Sequence, residues 1–100
     1  MDIYKNIEFN KIYKANTDVL VAAQLVTATN GARGIITIIR IDADDNEYQV
    51  ASASVHYYED SNTFVPNNTA TTIIKKGNRY KVVFNETWAK VGAYAYHERI

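Results

Sequence analysis

Lys75-Lys76-Gly77-Asn78, running into Arg79-Tyr80-Lys81-Val82-Val83-Phe84-Asn85, reads as a turn that feeds a strand. Gly77 accepts the positive φ that a short turn demands, so this is expected to be the tightest hairpin of the chain. Beyond it, Tyr80, Val82 and Phe84 fall on one side of an extended backbone. Arg79, Lys81 and Asn85 fall on the other, and only Val83 breaks the pattern. Strict alternation of this kind marks a strand with one buried and one wet face.

Outward from there the same signal recurs. Ala51, Ala53, Val55 and Tyr57 alternate with Ser52, Ser54 and His56. No stretch sustains a helical period, and Thr, Val, Ile and Tyr suit a pleated, half-buried surface. Turn signals return at short intervals: Asn16-Thr17-Asp18, Asn30-Gly31, Asp44-Asp45-Asn46, Asp60-Ser61-Asn62, Pro66-Asn67-Asn68 and Asn85-Glu86. The pattern predicts strands at 7–14, 18–28, 35–42, 47–58, 62–65, 69–75, 79–85 and 88–98. Short strands between such turns predict an all-β, two-sheet antiparallel β-sandwich, jelly-roll-like, of about eight strands. It is read as a single domain over 1–100, with 1–6 as a flexible lead-in.

Composition narrows the function. Eleven basic residues offset eleven acidic ones, which argues against nucleic acid as a partner, since binding phosphate usually takes a basic excess. There is no cysteine, so disulfides and thiolate metal sites drop out. The first residues lack the apolar centre of a signal peptide, and no apolar run is long enough for membrane insertion. The chain is therefore expected in the cytoplasm or in a virion or phage-like particle assembled there. The sequons Asn67-Asn68-Thr69 and Asn85-Glu86-Thr87 match the glycosylation pattern without a secretory signal to use them.

Several strands are too apolar for one small core. Along 19–26, Val19, Val21, Ala23 and Leu25 share one face, and Leu20, Ala22, Gln24 and Val26 the other. Along 35–41, Ile35, Ile39 and Ile41 oppose Ile36 and Ile38. Along 88–96, Ala89, Val91, Ala93 and Ala95 face away from Trp88, Tyr94 and Tyr96. Either loops or the N-terminal segment cover these second faces, or they pack against copies of the same domain, which surface of that extent favours. The expected self-contact residues are Leu20, Ala22, Val26, Ile36, Ile38, Ala89, Val91, Ala93 and Ala95, in a homo-oligomer.

Candidate chemistry is sparse. Asp42, Asp44 and Asn46 open like a calcium loop, but Glu47 and Ala53 stand where such a loop needs glycine and a bidentate glutamate. The competing reading is a solvated acidic turn, and no cofactor is expected. Ser54 and His56 share a strand face without the orienting group and oxyanion hole a nucleophile needs. Glu59 and Asp60 are adjacent, so on a strand they point apart and cannot flank one bond. The chain therefore reads as no enzyme. Among eight tyrosines and one tryptophan, Tyr58 and Trp88 lie beside turns and are the candidate ligand-binding residues, since such rings suit both interfaces and sugar stacking.

Three segments carry a likeness: Asp18-Val19-Leu20-Val21-Ala22-Ala23, Ala53-Ser54-Val55-His56-Tyr57-Tyr58, and Ile73-Ile74-Lys75-Lys76-Gly77-Asn78-Arg79-Tyr80-Lys81-Val82. Together they resemble the small jelly-roll head domains at the ends of bacteriophage and prophage tail fibres, over roughly 13–96. The resemblance implies a receptor-binding homotrimer whose inner sheets pack about a three-fold axis, with outer loops meeting a cell-surface glycan or protein. Trimeric tumour-necrosis-factor-like jelly rolls share that packing. This chain lacks the long variable loop of such heads. The expectation is a non-enzymatic, homo-oligomeric structural or recognition module. The alternative is a monomeric carbohydrate-binding module.

Overall fold

The structure, a computed structural model, describes residues 4–28, 33–56, 68–87 and 91–100. Among them lie eight strands: β1 (Tyr4–Asn6), β2 (Tyr13–Lys14), β3 (Val19–Ala28), β4 (Arg33–Ile41), β5 (Glu47–His56), β6 (Asn68–Ile74), β7 (Arg79–Thr87) and β8 (Val91–Arg99). They form two antiparallel sheets, ordered β1-β8-β3-β6 and β2-β7-β4-β5. The chain is an all-β sandwich.

The pairing has a simple rule. β4 pairs β5, β3 pairs β6, β7 pairs β2 and β8 pairs β1, so the chain is one long hairpin closing at the β4–β5 turn and rolled so that successive strand pairs alternate between sheets. Among the described residues, only β4 and β5 are both consecutive and hydrogen-bonded.

The turn after β6 is therefore not the hairpin that its sequence predicts. Gly77 does take a positive φ, 96°, and the amide of Asn78 donates to the carbonyl of Lys75 over 3.2 Å. Yet β6 belongs to one sheet and β7 to the other, so 75–78 is an arch across the sandwich. Turn chemistry reports a reversal of direction; it does not report which strands then pair. The arch is held by residues 15–18: Gly77 donates to Ala15 over 2.9 Å, Ala15 to Asn78 over 2.9 Å, and Lys76 to the Asp18 carboxylate over 2.9 Å.

Two boundaries also change. Of the strand expected over 7–14 only Tyr13–Lys14 is strand; residues 7–12 form a bent segment in which Asn10 sits at φ 67°, a conformation asparagine tolerates. Of the expected lead-in, residues 4–6 pair with β8 in the register Tyr4↔Glu98 to Asn6↔Tyr96. The expected strand at 62–65 lies outside the described residues.

The core lies between the sheets. Val19, Val21, Ala23 and Leu25 of β3 meet Ile36 and Ile38 of β4, Tyr80 and Val82 of β7, Ala70 and Ile74 of β6, and Ala95 of β8. One cross-strand row, Ala70–Ala23–Ala95, is all alanine. Small side chains there leave room for the larger ones of the facing sheet. The segment between β1 and β2 closes one side: Ile7 is buried and its amide donates to Ala95 over 2.8 Å, Asn10 donates to Val82 over 2.8 Å, and Phe9 packs on Phe84 with ring centroids 5.3 Å apart.

Candidate functional site

With Val19, Val21, Ala23 and Leu25 inside, the strand period places Leu20, Ala22 and Gln24 on the outer face of their sheet. Register sets their neighbours. Gln24 lies between Tyr94 and Thr69, Ala22 between Tyr96 and Thr71, and Leu20 between Glu98 and Ile73. Tyr94 and Tyr96, two apart on β8, stand side by side with centroids 6.3 Å apart and planes 22° from parallel. The Tyr94 hydroxyl donates to the Gln24 amide oxygen. Ile73 is 52% and Tyr94 42% exposed, while Ala22 is 2% exposed although it is no part of the core cluster. The outcome is an aromatic and aliphatic strip with hydroxyl, amide and carboxylate groups among it. Such a surface is suited to contact rather than to bond-making.

Part of the expected self-contact set moves inward. Ile36 and Ile38 are fully buried in the core, Ala95 is buried with them, and Ala93 packs against them. The faces are the reverse of those expected: Ile35 and Ile39 of β4 lie on the outer side, with Tyr94 and Tyr96 of β8. Leu20 and Ala22 remain on the outer face. Ala89, Tyr58 and Trp88 lie outside the described residues, as do the side chains of Val26 and Val91. Ala93 and Ala95 of β8, expected between chains, pack instead between the two sheets of one chain, where small side chains permit close approach.

The acidic segment is the β4–β5 turn, held together from within. One Asp42 oxygen accepts from the amides of Asp44 and Asn46, at 2.9 and 3.0 Å. The other accepts from the Asn46 side-chain amide and the Tyr48 hydroxyl, each at 3.2 Å. Asp45 takes a φ of 65° and pairs with Arg79, which also donates to the Asp42 carbonyl over 2.7 Å. Both Asp42 oxygens are thus engaged in hydrogen bonds that order the turn. Among the described residues no three His, Asp or Glu side chains converge as a metal site.

The same donors set a pH dependence. Burial raises the Asp42 carboxyl, but the hydrogen bonds, the Asn46 backbone amide foremost, outweigh it and hold its pKa below 3.8. Asp18 is lowered chiefly by the Lys76 backbone amide. A depressed carboxyl gives stability that is present above its unfolded pKa and lost as pH falls through the folded one. Asp42→Asn is therefore expected to flatten the acid decline below about pH 4, read from urea melts between pH 5 and 2. Superimposable curves for the two proteins would remove Asp42 from this role.

One polar contact crosses the core. The Tyr80 hydroxyl of β7 and Nδ1 of His97 on β8 are 2.6 Å apart, and Tyr13 of β2 stacks on Tyr80 at 5.7 Å and meets the imidazole edge-on at 5.0 Å. Burial first, then the neighbouring Tyr13, push the Tyr80 hydroxyl up to about 12. The group ties the two sheets together where β2 ends. Its partial burial and aromatic surroundings make it a structural bridge.

No family model matches the chain, and a search of curated proteins finds no match.

Proposed function

We propose that this protein is a non-enzymatic, homo-oligomeric jelly-roll subunit, a structural or recognition module of the receptor-binding kind found in phage tails, with a trimer as its assembly. Two features support the reading. The rolled pairing of β1 with β8, β2 with β7, β3 with β6 and β4 with β5 is the winding expected of a jelly roll. The observation that carries self-association is the outward strip of Leu20, Ala22, Ile73, Tyr94 and Tyr96, apolar and aromatic on a face that one small sandwich does not use for its own core.

Light scattering at low micromolar concentration tests it. The expected result is a mass that is a multiple of three chains of 11.3 kDa, lowered by Ile73→Lys without loss of β-sheet circular dichroism. A monomeric parent protein would end the reading.

A second reading rests on the Tyr94–Tyr96 pair beside Gln24. Two rings with an adjacent amide can stack on and hydrogen-bond a saccharide, as a monomeric carbohydrate-binding module does. That reading expects a monomer whose glycan binding is lost in Tyr96→Ala.

A further inference from the structure

β2 is two residues long, yet one of them enters a cluster that both sheets share. Tyr13 stacks on Tyr80 of β7 and meets the imidazole of His97 on β8 edge-on. The Tyr80 hydroxyl lies 2.6 Å from Nδ1 of that imidazole. The segment before β2 is tied to the same cluster. The Glu8 amide donates to the Tyr13 hydroxyl over 3.0 Å, and the Lys11 ammonium lies 5.4 Å from the centre of the Tyr13 ring. The direction of the central bond follows from its partners. Tyr80 is 2% exposed and makes no other hydrogen bond among the described residues, so its O–H has one acceptor, Nδ1. That hydroxyl ionises at about 12 and keeps its proton wherever imidazole titrates. Nδ1 is therefore the nitrogen without a proton, and in the neutral ring the proton sits on Nε2.

We infer that His97 is an acid-sensitive joint: neutral, it accepts the Tyr80 hydroxyl and fastens the N-terminal strap, residues 4–14, to both sheets; protonated, it has no lone pair to offer and the strap loosens. An imidazolium carries N–H at both nitrogens, so Nδ1 and the Tyr80 O–H would aim hydrogens at one another. The hydroxyl can turn, but its proton is then left in a buried setting without an acceptor, which costs more than the bond itself contributes. The surrounding charges do not relieve this. Lys5 of β1 and Val21 of β3 stand in register with His97, Arg99 is two residues along β8, and Lys11 lies against the Tyr13 ring. Glu8 is paired with Lys11, and Glu98 falls on the outer side of the sheet with Leu20. A charge on His97 is thus added among cations. The strap yields first, because among the described residues its strand pairing is three residues of β1 and two of β2. An unfolded chain takes up the imidazole proton near pH 6.5, and the folded chain resists it. The stabilisation is therefore whole above about pH 6.5 and lost as pH falls below it. The joint lies on the inner side of the sheets and is independent of the outer strip.

The test is urea melting of the full chain at about pH 7.5 and 5.5, at one chain concentration, for the parent, His97→Gln and Tyr80→Phe. The folded-to-unfolded ratio of the parent is expected to fall about three- to tenfold over that range, and that of His97→Gln less than about twofold. Tyr80→Phe keeps the imidazole but removes the hydroxyl it serves, so its deficit against the parent should narrow as pH falls. Amide exchange of Ile7 and Asn10, whose amides donate to Ala95 and Val82, should quicken by the same factor in the parent once corrected for intrinsic rate. Should His97→Gln fail to fold by circular dichroism, Tyr80→Phe and the exchange measurement carry the test. A parent equally stable at both pH values overturns the joint. So does an undiminished dependence in His97→Gln or Tyr80→Phe, which would place the titrating group elsewhere, His56 being the other histidine.

Discussion

Ile38→Ala is expected to cost about 2–5 kcal/mol of folding free energy, and Ile35→Ala less than about 1 kcal/mol. The two residues lie three apart on β4 and differ in which side of the sheet they occupy. Ile38 is fully buried among Val21, Leu25 and Val82, whereas Ile35 is 40% exposed. Truncating Ile38 removes its transfer free energy and leaves a cavity that a rigid pair of sheets closes only in part. Against a total stability on the order of 5–15 kcal/mol, that loss is large. At about 4–8 °C per kcal/mol for a domain of this size, melting should fall by roughly 10 °C or more for Ile38→Ala and by a few degrees for Ile35→Ala. Urea titration followed by circular dichroism measures both. Equal costs, or the reverse order, would mean that the faces of β4 are assigned the wrong way round.

Tyr80→Phe is expected to lose about 1–3 kcal/mol, because it removes one partner of a hydrogen bond inside the sandwich and leaves Nδ1 of His97 without that contact. The ring stays, so packing against Tyr13 survives and the loss reports the hydroxyl. The pH dependence is the sharper test. Tyr80 ionises at about 12 in the folded chain, above its ordinary value of 10.0. Between those values the folded state binds more protons than the unfolded one, so stability falls as pH rises. The stabilisation is whole below pH 10 and is lost as pH climbs toward 12, at no more than about 1.4 kcal/mol per pH unit. Tyr80→Phe should remove Tyr80's share of that alkaline decline. A decline of the same steepness in the variant would place its origin in another group.

The local reading succeeded where one face of a strand is plainly polar. Along 79–85 the pattern assigned Tyr80 and Val82 to the core, and that is where they lie. It failed where both faces are apolar. In 35–41, isoleucines on either side satisfy a period of two equally well, so the pattern has no sign. Ile41 is buried although it shares the odd numbering of the exposed Ile35, so numbering alone does not set exposure along β4. In β8 the alanines looked like a seam between chains because small side chains permit close approach. They are instead the row that accommodates the opposite sheet, and the tyrosines between them form the candidate contact surface.

The acidic turn was legible in its alternatives. Oxygen-bearing residues at 42, 44 and 46 suit either a cation or an Asx-type turn, and the sequence alone carries no information on which donors reach Asp42. Three donors of the turn and the Tyr48 hydroxyl of β5 reach it, the contacts of an ordered Asx-type turn.

Sequence by itself determined that this chain is all-β and where most of its described strands run, though the turn expected at Asn85-Glu86 lies inside β7. Those are local properties: branched and aromatic side chains favour extended backbone, and glycine, asparagine and aspartate accept the conformations that reverse it. Only the tertiary structure decided which strands pair, that the Gly77 turn is an arch and not a hairpin, and which apolar face points inward. Each of those depends on residues distant along the chain. The two sides of β4 differ because β3 packs over the one that carries Ile36 and Ile38, and nothing within residues 35–39 records which.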